Sequence, residues 1–291
     1  VKLYLRKVIL TLTGGGGGLT INANLSSMHD LKIGFDIKKT VSGSPNTGAI
    51  EVWNLAGGNR RKLKSEFDRI SLEAGYQGQI GSRGNVGIIF DGFIRDVEHV
   101  RDGPDIISRI ECGDGDKASR QGVIAKTWPA GTKPKAIVTD LHAEMPEVDL
   151  GVIDGLDDAP AYRRPVTMVG PVTRGMDQIA RTHGLLWSVQ DGALEVIPAD
   201  GYIDDVVVLS QGSGLVGIPT ITDNGVRLTA LLNPQIRVNR VIEVRSDILD
   251  ENDAGGRFRV SAVDFAGDNR DGDFVAQVTG ERISDGRIPR V

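Results

Sequence analysis

The five consecutive glycines at 14–18 are the segment closest in type to a phosphate-binding loop. Such a loop cradles phosphate with backbone N–H groups and needs Gly-Lys-Ser/Thr running into a helix. Here the run ends Gly18-Leu19-Thr20, with no lysine. A glycine run packs no side chains and loses much entropy when ordered, so 14–18 reads as a flexible turn or tip. Carboxylates gather at Asp114 and Asp116, at Asp154, Asp157 and Asp158, and at Asp268, Asp271 and Asp273. A calcium loop requires alternating oxygen donors, a glycine and a distal glutamate. In the last cluster Arg270 takes a ligand position, and Asp beside Gly is ordinary turn chemistry, so these clusters read as solvated turns. The histidines His29, His99, His142 and His183 show no metal-ligand spacing. His183 falls near the C-terminus of a predicted helix and reads as a packed or helix-end residue. Cys112, the only cysteine, ends a predicted strand and reads as a small buried hydrophobe rather than a nucleophile. No Gly-x-Ser-x-Gly elbow occurs. Glycosidase chemistry constrains distance in space rather than spacing in sequence, so no carboxylate pair stands out. The basic run Arg60-Arg61-Lys62-Leu63-Lys64 has no interleaved aromatics to stack on bases, and reads as the solvated face of a short helix or a subunit contact. The sequence thus singles out no catalytic, cofactor-binding or metal-binding residue; no cofactor is expected, and the chain is not expected to be an enzyme.

The elements that would position any function are mostly strands. Ile33, Phe35 and Ile37 alternate with Lys32, Asp36 and Lys38, the period of a half-buried strand. Residues 3–13 and 19–25 form an apolar pair flanking the glycine run and predict a hairpin. Further strands are predicted at 49–55, 69–76, 86–96 and 106–112, with a short basic helix at 59–67. The middle of the chain changes character. Pro134 suits a first helical turn, predicting a helix over 136–145. A second helix over 173–183 presents Met176, Ile179, Ala180 and His183 on one face and stops at Gly184. Residues 185–189 and 193–197 flank Asp191-Gly192, the clearest hairpin signal in the chain. From Val206 strands return, at 206–210, 218–222, 226–230, 241–246, 258–265 and 273–279. Trp53 and Trp187 lie in predicted strands and read as core.

Composition bounds the class. The frequent glycine, 38 of 291 residues, combined with many β-branched residues, implies short strands joined by turns. A formal net charge of −5 argues against a dedicated nucleic-acid binder while allowing a wall past which DNA slides. One cysteine precludes an intramolecular disulfide and implies a reducing folding environment. No apolar run approaches the ~20 residues of a membrane span, and the basic, apolar start of the chain reads as a first strand rather than a secretion signal.

Phe35-Asp36-Ile37 with Lys39-Thr40, Pro45-Asn46-Thr47-Gly48 and Ile50-Glu51-Val52-Trp53-Asn54-Leu55 resemble the first barrel of the central baseplate hub proteins of contractile-tailed bacteriophages. Leu72-Glu73-Ala74-Gly75-Tyr76, Phe90-Asp91-Gly92 and Glu111-Cys112-Gly113-Asp114-Gly115 continue it. Leu186-Trp187 before Asp191-Gly192 resembles the family's small α+β unit. Gly214-Leu215-Val216-Gly217-Ile218-Pro219, Gly225-Val226, Leu231-Leu232-Asn233-Pro234, Phe258-Arg259-Val260 and Gly267-Asp268 with Asp273-Phe274 are similar to its second barrel. One departure is Asn239, where a glycine is expected.

The resemblance implies a mainly β fold: two similar tube-type β-barrels, 1–120 and 204–291, flanking a small α+β domain, 121–203. It implies a structural hub: a homotrimeric ring of pseudo-sixfold symmetry that joins the hexameric tail tube to the trimeric spike and surrounds the DNA channel. The implied partners are the tube or tube-initiator protein, the spike and other baseplate (wedge) proteins, with DNA passing unbound and no membrane insertion. The implied location is the virion's tail baseplate, assembled in the host cytoplasm. The hub of a tailocin or other contractile injection device is the related alternative. An enzymatic, cell-wall-cutting tail component would need a further catalytic domain for which no residue block remains, and a carbohydrate-binding module would need a row of surface aromatics, whereas only three Trp and four Tyr are present.

Overall fold

Alternating apolar residues make strands over most of this chain, as a computed structural model shows for residues 4–15, 17–24, 30–78, 84–245 and 256–283. The first part holds β1 (Tyr4–Gly14), β2 (Gly17–Asn24), β3 (Ile33–Thr40), β4 (Thr47–Trp53), α1 (Gly57–Ser65), β5 (Arg69–Gln77), β6 (Gly87–Asp102) and β7 (Asp105–Gly113). The middle holds α2 (Asp116–Gln121), β8 (Val123–Trp128), α3 (Pro134–Ala143), β9 (Asp149–Ile153), β10 (Val166–Pro171), α4 (Val172–His183), β11 (Leu185–Gln190) and β12 (Ala193–Pro198). The last part holds β13 (Ile203–Leu209), β14 (Leu215–Thr222), β15 (Gly225–Leu231), β16 (Arg240–Val244), β17 (Gly256–Asp268) and β18 (Phe274–Arg282). Strand dominates, and the chain is mainly β. Among the described residues no helix is long and apolar enough to cross a membrane.

The predicted local elements form where their side chains require. α4 buries Val172, Met176, Ile179 and Ala180 on one stripe, and Gly184 ends it at φ 66°, a left-handed cap that glycine adopts without a Cβ clash. Pro134 opens α3, where its missing N–H has no helical partner to lose. Asp191 and Gly192 both take positive φ, 52° and 83°, the turn that matches the twist of β11 and β12. The short helix α2 was not expected: six residues are too few to display a helical period. Of the predicted tip at 14–18, Gly16 lies outside the described residues. Gly14 pairs with Gly17, and a Cβ on Gly14 would run into the Glu66 carbonyl, so close backbone approach dictates glycine there.

Eleven strands run in the order β14-β15-β18-β17-β3-β4-β7-β6-β5-β1-β2, with β13 and β16 completing the same sheet. This differs from two separate barrels: among the described residues neither half closes on itself, and the hydrogen-bond ladder passes from one half into the other. The seam is β17 against β3, antiparallel, from Ala262 opposite Thr40 to Asp268 opposite Gly34. The physical cause is the length of β17. Its edge pairs with β16 as far as Arg259, bulges at Ser261, and then continues past the end of β16 to meet β3. One apolar cluster spans both halves, including Ile37, Phe90, Val226 and Phe265, while a second lies between the helices and small sheets of the middle part.

The two halves repeat one strand order. β3-β4-β7-β6-β5 in the first is matched by β14-β15-β18-β17-β16 in the second; the sixth strands differ, β1 lying antiparallel to β5 and β13 parallel to β16. The register agrees too: Ile50 opposite Ile110 corresponds to Leu228 opposite Val278, and the bulge between Ile94 and Asp96 corresponds to that between Val260 and Ala262.

Candidate assembly surfaces

The residues with chemical potential are dispersed into structural roles. Cys112 is buried, donates to the Gly48 carbonyl at 3.2 Å, and burial raises its thiol pKa, the opposite of an activated nucleophile. Among the described residues no three His, Cys, Asp or Glu side chains converge as metal ligands; His29 lies outside them. His99 bridges Ser108 and the Arg60 carbonyl, each at 3.1 Å. His142 meets the Val148 carbonyl at 2.9 Å. His183 sits at the end of α4 against Tyr162, whose hydroxyl is 3.1 Å away. The basic run lies on α1, whose Leu63 is buried; Arg60 is half-buried and donates to the Leu55 carbonyl at 2.8 Å, while Arg61, Lys62 and Lys64 are exposed. Trp187 is buried, whereas Trp53 is half-buried beneath the Lys32 ammonium, 4.9 Å from the ring. The 268–273 cluster is a turn: Asp268 accepts from the N–H groups of Arg270 and Asp271 at 2.6 Å, and Arg6 clamps the carbonyls of Asp271 and Gly272.

Asp114 and Asp116 are not solvated. Both are buried, because the β11–β12 hairpin and Arg95 cover them, contacts too remote in sequence for turn composition to reveal. Asp116 is held by Arg95, whose Nη2 donates at 2.6 Å. Asp114 accepts from the Gly192 N–H at 3.0 Å and lies 3.5 Å from the Asn46 amide. Asn46 also donates to the Val189 carbonyl at 2.9 Å and to Gln190 Oε1 at 3.1 Å. Lys39 reaches Asp191 at 2.5 Å with its side chain only 4% exposed. Burial pushes the Asp114 carboxyl up to about 7; Lys39 pulls it down and Asp191 adds to the rise.

This polar cluster fastens the tip of the β11–β12 hairpin to the first half of the sheet. The other end of the hairpin is fastened to the second half. Glu195 accepts from Arg240 at 2.5 Å and from the Asn239 amide at 2.9 Å. Arg259 donates to the Ala199 and Gly201 carbonyls at 2.6 and 3.0 Å and pairs with Glu281 at 2.5 Å. Asn239, standing where the family pattern led us to expect glycine, adopts φ 66°. Asn tolerates that conformation better than other side-chain-bearing residues, so the turn is preserved. Sequence reasoning missed this network, although one signal was present: Lys39 continues the apolar face of Ile33, Phe35 and Ile37, and a lysine in that position needs a buried partner.

The opposite face of the large sheet is hydrophilic and crosses the seam without interruption. By register, Thr229, Gln277, Asp264, Lys38 and Thr47 form one row through β15, β18, β17, β3 and β4. A second row runs Ala266, Asp36, Ala49, Glu111 and Asp96, ending on β6. Arg109 and Glu51, two residues beyond the second row on β7 and β4, pair at 2.9 Å. A shallow groove of about 610 Å³ lies over Thr229, Gln277 and Asp264. Burial raises the Asp264 carboxyl pKa, with Lys38 opposing. Along and beside these rows the carboxylates Asp264, Asp36, Glu111, Asp96 and Glu51 outnumber the cations Lys38 and Arg109.

The sequence matches the family described as Baseplate hub gp41 over residues 7–280. No curated relative matches it. In fold it is similar to the 43 kDa tail protein of prophage MuSo2 from Shewanella oneidensis, with a TM-score of 0.62, 11% identity, and 95% of this chain and 97% of that one covered. A tail protein from Neisseria meningitidis MC58 gives 0.57 at 13% identity, covering 94% of this chain and 96% of the other. The E. coli c3393 protein, a type VI secretion system component with structural similarity to the T4 tail proteins gp27 and gp5, gives 0.57 at 13% identity, covering 91% and 78%.

Proposed function

We infer, from the premise that this chain belongs to the Baseplate hub gp41 family, how a structural component of the phage tail baseplate performs its task. The family's role is structural, so the question is mechanical rather than catalytic. Three copies form a ring whose six sheet units, two per chain, match a hexameric tail tube on one side and a trimeric spike on the other. Residues 1–120 and 204–291 are the two tube-like units, and 121–203 is the α+β unit that braces them. Other baseplate proteins contact the outside of the ring, and assembly takes place in the bacterial cytoplasm before the virion is complete.

The observation that carries this reading is the repeated strand order on one continuous sheet. A single chain that presents the same unit twice reconciles threefold with sixfold symmetry. The hydrophilic face lines the channel. Its mixed charges suit DNA that must slide, because each phosphate contact with a cation adds affinity and would retard passage. The fold likeness to a type VI secretion component supports a second reading, the hub of a tailocin or other injection device; it shares the ring and differs in what passes through.

Light scattering on the purified chain, with negative-stain imaging of the same peak, tests the ring. The expected particle has three times the 31.2 kDa chain mass and a central hole. A ring of two, four or five copies would overturn the symmetry argument.

A further inference from the structure

Among the described residues, the seam between β17 and β3 has a counterpart in the first half that no strand fills. Before its bulge, β17 pairs with β16 as β6 pairs with β5: Arg259 opposite Val241 corresponds to Phe93 opposite Arg69. After the bulge, the same edge of β17 takes up β3. The corresponding edge of β6, residues 96–102, carries no strand among the described residues; there it meets α1 through the His99 ring, 3.1 Å from the Arg60 carbonyl, a side-chain contact. Matching the registers makes Val97, Glu98 and His99 the counterparts of Val263, Asp264 and Phe265. The converse holds for β3. It is paired on both sides, whereas among the described residues its counterpart β14 pairs with β15 alone. Asp36, Ile37 and Lys38 correspond to Thr220, Ile221 and Thr222.

We propose that β14 of one copy adds to the open β6 edge of a second copy, antiparallel and in the register of β3 on β17, with Thr222 facing Glu98, Ile221 facing His99 and Thr220 facing Val100. The occupant is another copy of this chain because the chain already contains the same joint. Exposure agrees. Ile37 is fully buried at the internal joint, while Ile221 is 41% exposed, and Val216 and Ile218 on the same edge strand are 43% and 60% exposed. A bare edge with exposed apolar residues is an adhesive that stable proteins cover. On β6 the Val97 N–H is taken by the neighbouring Asp96 carboxylate at 2.9 Å, a local stand-in for a strand. β14 departs from β3 at 217–219, where three residues oppose Leu228 and Pro219 lacks an N–H, so the pairing runs on residues 220–222.

The two edges differ, so the contact is head-to-tail and must close into a ring or grow into a filament. Closure at three rests on the hub reading above; the strand pairing itself does not. Three internal and three intermolecular joints then make six equivalent positions.

Cysteine pairing tests the register. The Val41 N–H donates to the Ser261 carbonyl, which makes 263/39 and 265/37 hydrogen-bonded pairs and 264/38 a non-hydrogen-bonded pair with closer side chains. Its counterpart is 98/222. Full-length Glu98→Cys and Thr222→Cys proteins, mixed and oxidised, should form a disulfide-linked heterodimer, in higher yield than Glu98→Cys with Thr220→Cys two residues out of register. The Ile221 N–H points outward in this register, so Ile221→Pro, made in the Thr222→Cys protein, should cut the yield about tenfold while leaving the β14–β15 ladder intact. In the double variant Glu98→Cys/Thr222→Cys, a denaturing ladder ending at three copies supports the pairing and the ring. A ladder continuing beyond three supports the pairing and overturns threefold closure. Three-copy particles without the 98–222 link overturn the pairing and leave the hub reading standing. Monomers without the link overturn both.

Discussion

Asp114→Asn should flatten the dependence of stability on pH. Folded Asp114 keeps its proton until about pH 7, whereas an unfolded aspartate releases it near 3.8. Between these values the folded state binds the extra proton. Its contribution to stability is therefore complete below pH 3.8 and is lost as pH rises through 7. From pH 5 to pH 8 the two values imply a loss of about 2 to 3 kcal/mol from this group. The structural cause is first burial, which disfavours the charged carboxylate, and then the neighbouring Asp191 charge, which Lys39 only partly offsets. Lys39 pairs with Asp191 at 2.5 Å, and a second negative charge on buried Asp114 lacks a cation of its own. Asparagine keeps an acceptor for the Gly192 N–H and removes the charge. Urea unfolding followed by tryptophan fluorescence at pH 5 and pH 8, at fixed ionic strength, measures the effect. The wild-type midpoint should fall on raising the pH by roughly 1 M more than that of the variant. Parallel shifts in the two proteins would refute the reasoning, because they would mean that folded Asp114 ionises as readily as unfolded.

Three further outcomes follow from packing and charge, each read as a shift in the same unfolding midpoint. Gly48→Val should destabilise by about 1 to 3 kcal/mol, since a Cβ there lies 2.7 Å from both Cys112 Sγ and Ile37 Cδ1; an unchanged midpoint would show that the sheet relaxes around it. Lys39→Met should cost about 3 kcal/mol by leaving the carboxylates without their cation, and Lys39→Met with Asp191→Asn should recover part of that loss. Gly192→Val should cost about 1 to 2 kcal/mol, because φ is 83° and a Cβ is disfavoured there, although it would meet only Arg69 Nη2, at an ordinary 3.5 Å.

Local structure was legible in the sequence wherever it depends on neighbours along the chain. The apolar stripe of Met176, Ile179 and Ala180 specified α4, and Asp191-Gly192 specified a turn that only positive φ can make. The order of the family segments identified the class, and even the departure at Asn239 preserved the expected backbone. What tertiary structure alone decided is how distant segments meet. The joint of β17 with β3 brings together residues more than two hundred positions apart through backbone hydrogen bonds, which carry no side-chain signature. The repeat of the two halves is hidden for the same reason: Phe265 and His99, or Ser261 and Arg95, hold equivalent places in the ladder without chemical likeness. Asp114 reads as a turn residue because its composition is local, and becomes a buried, proton-holding group only when a hairpin 78 residues away folds over it. Side-chain period and turn chemistry are properties of a few consecutive residues; strand partnership and burial are properties of the whole chain folded on itself.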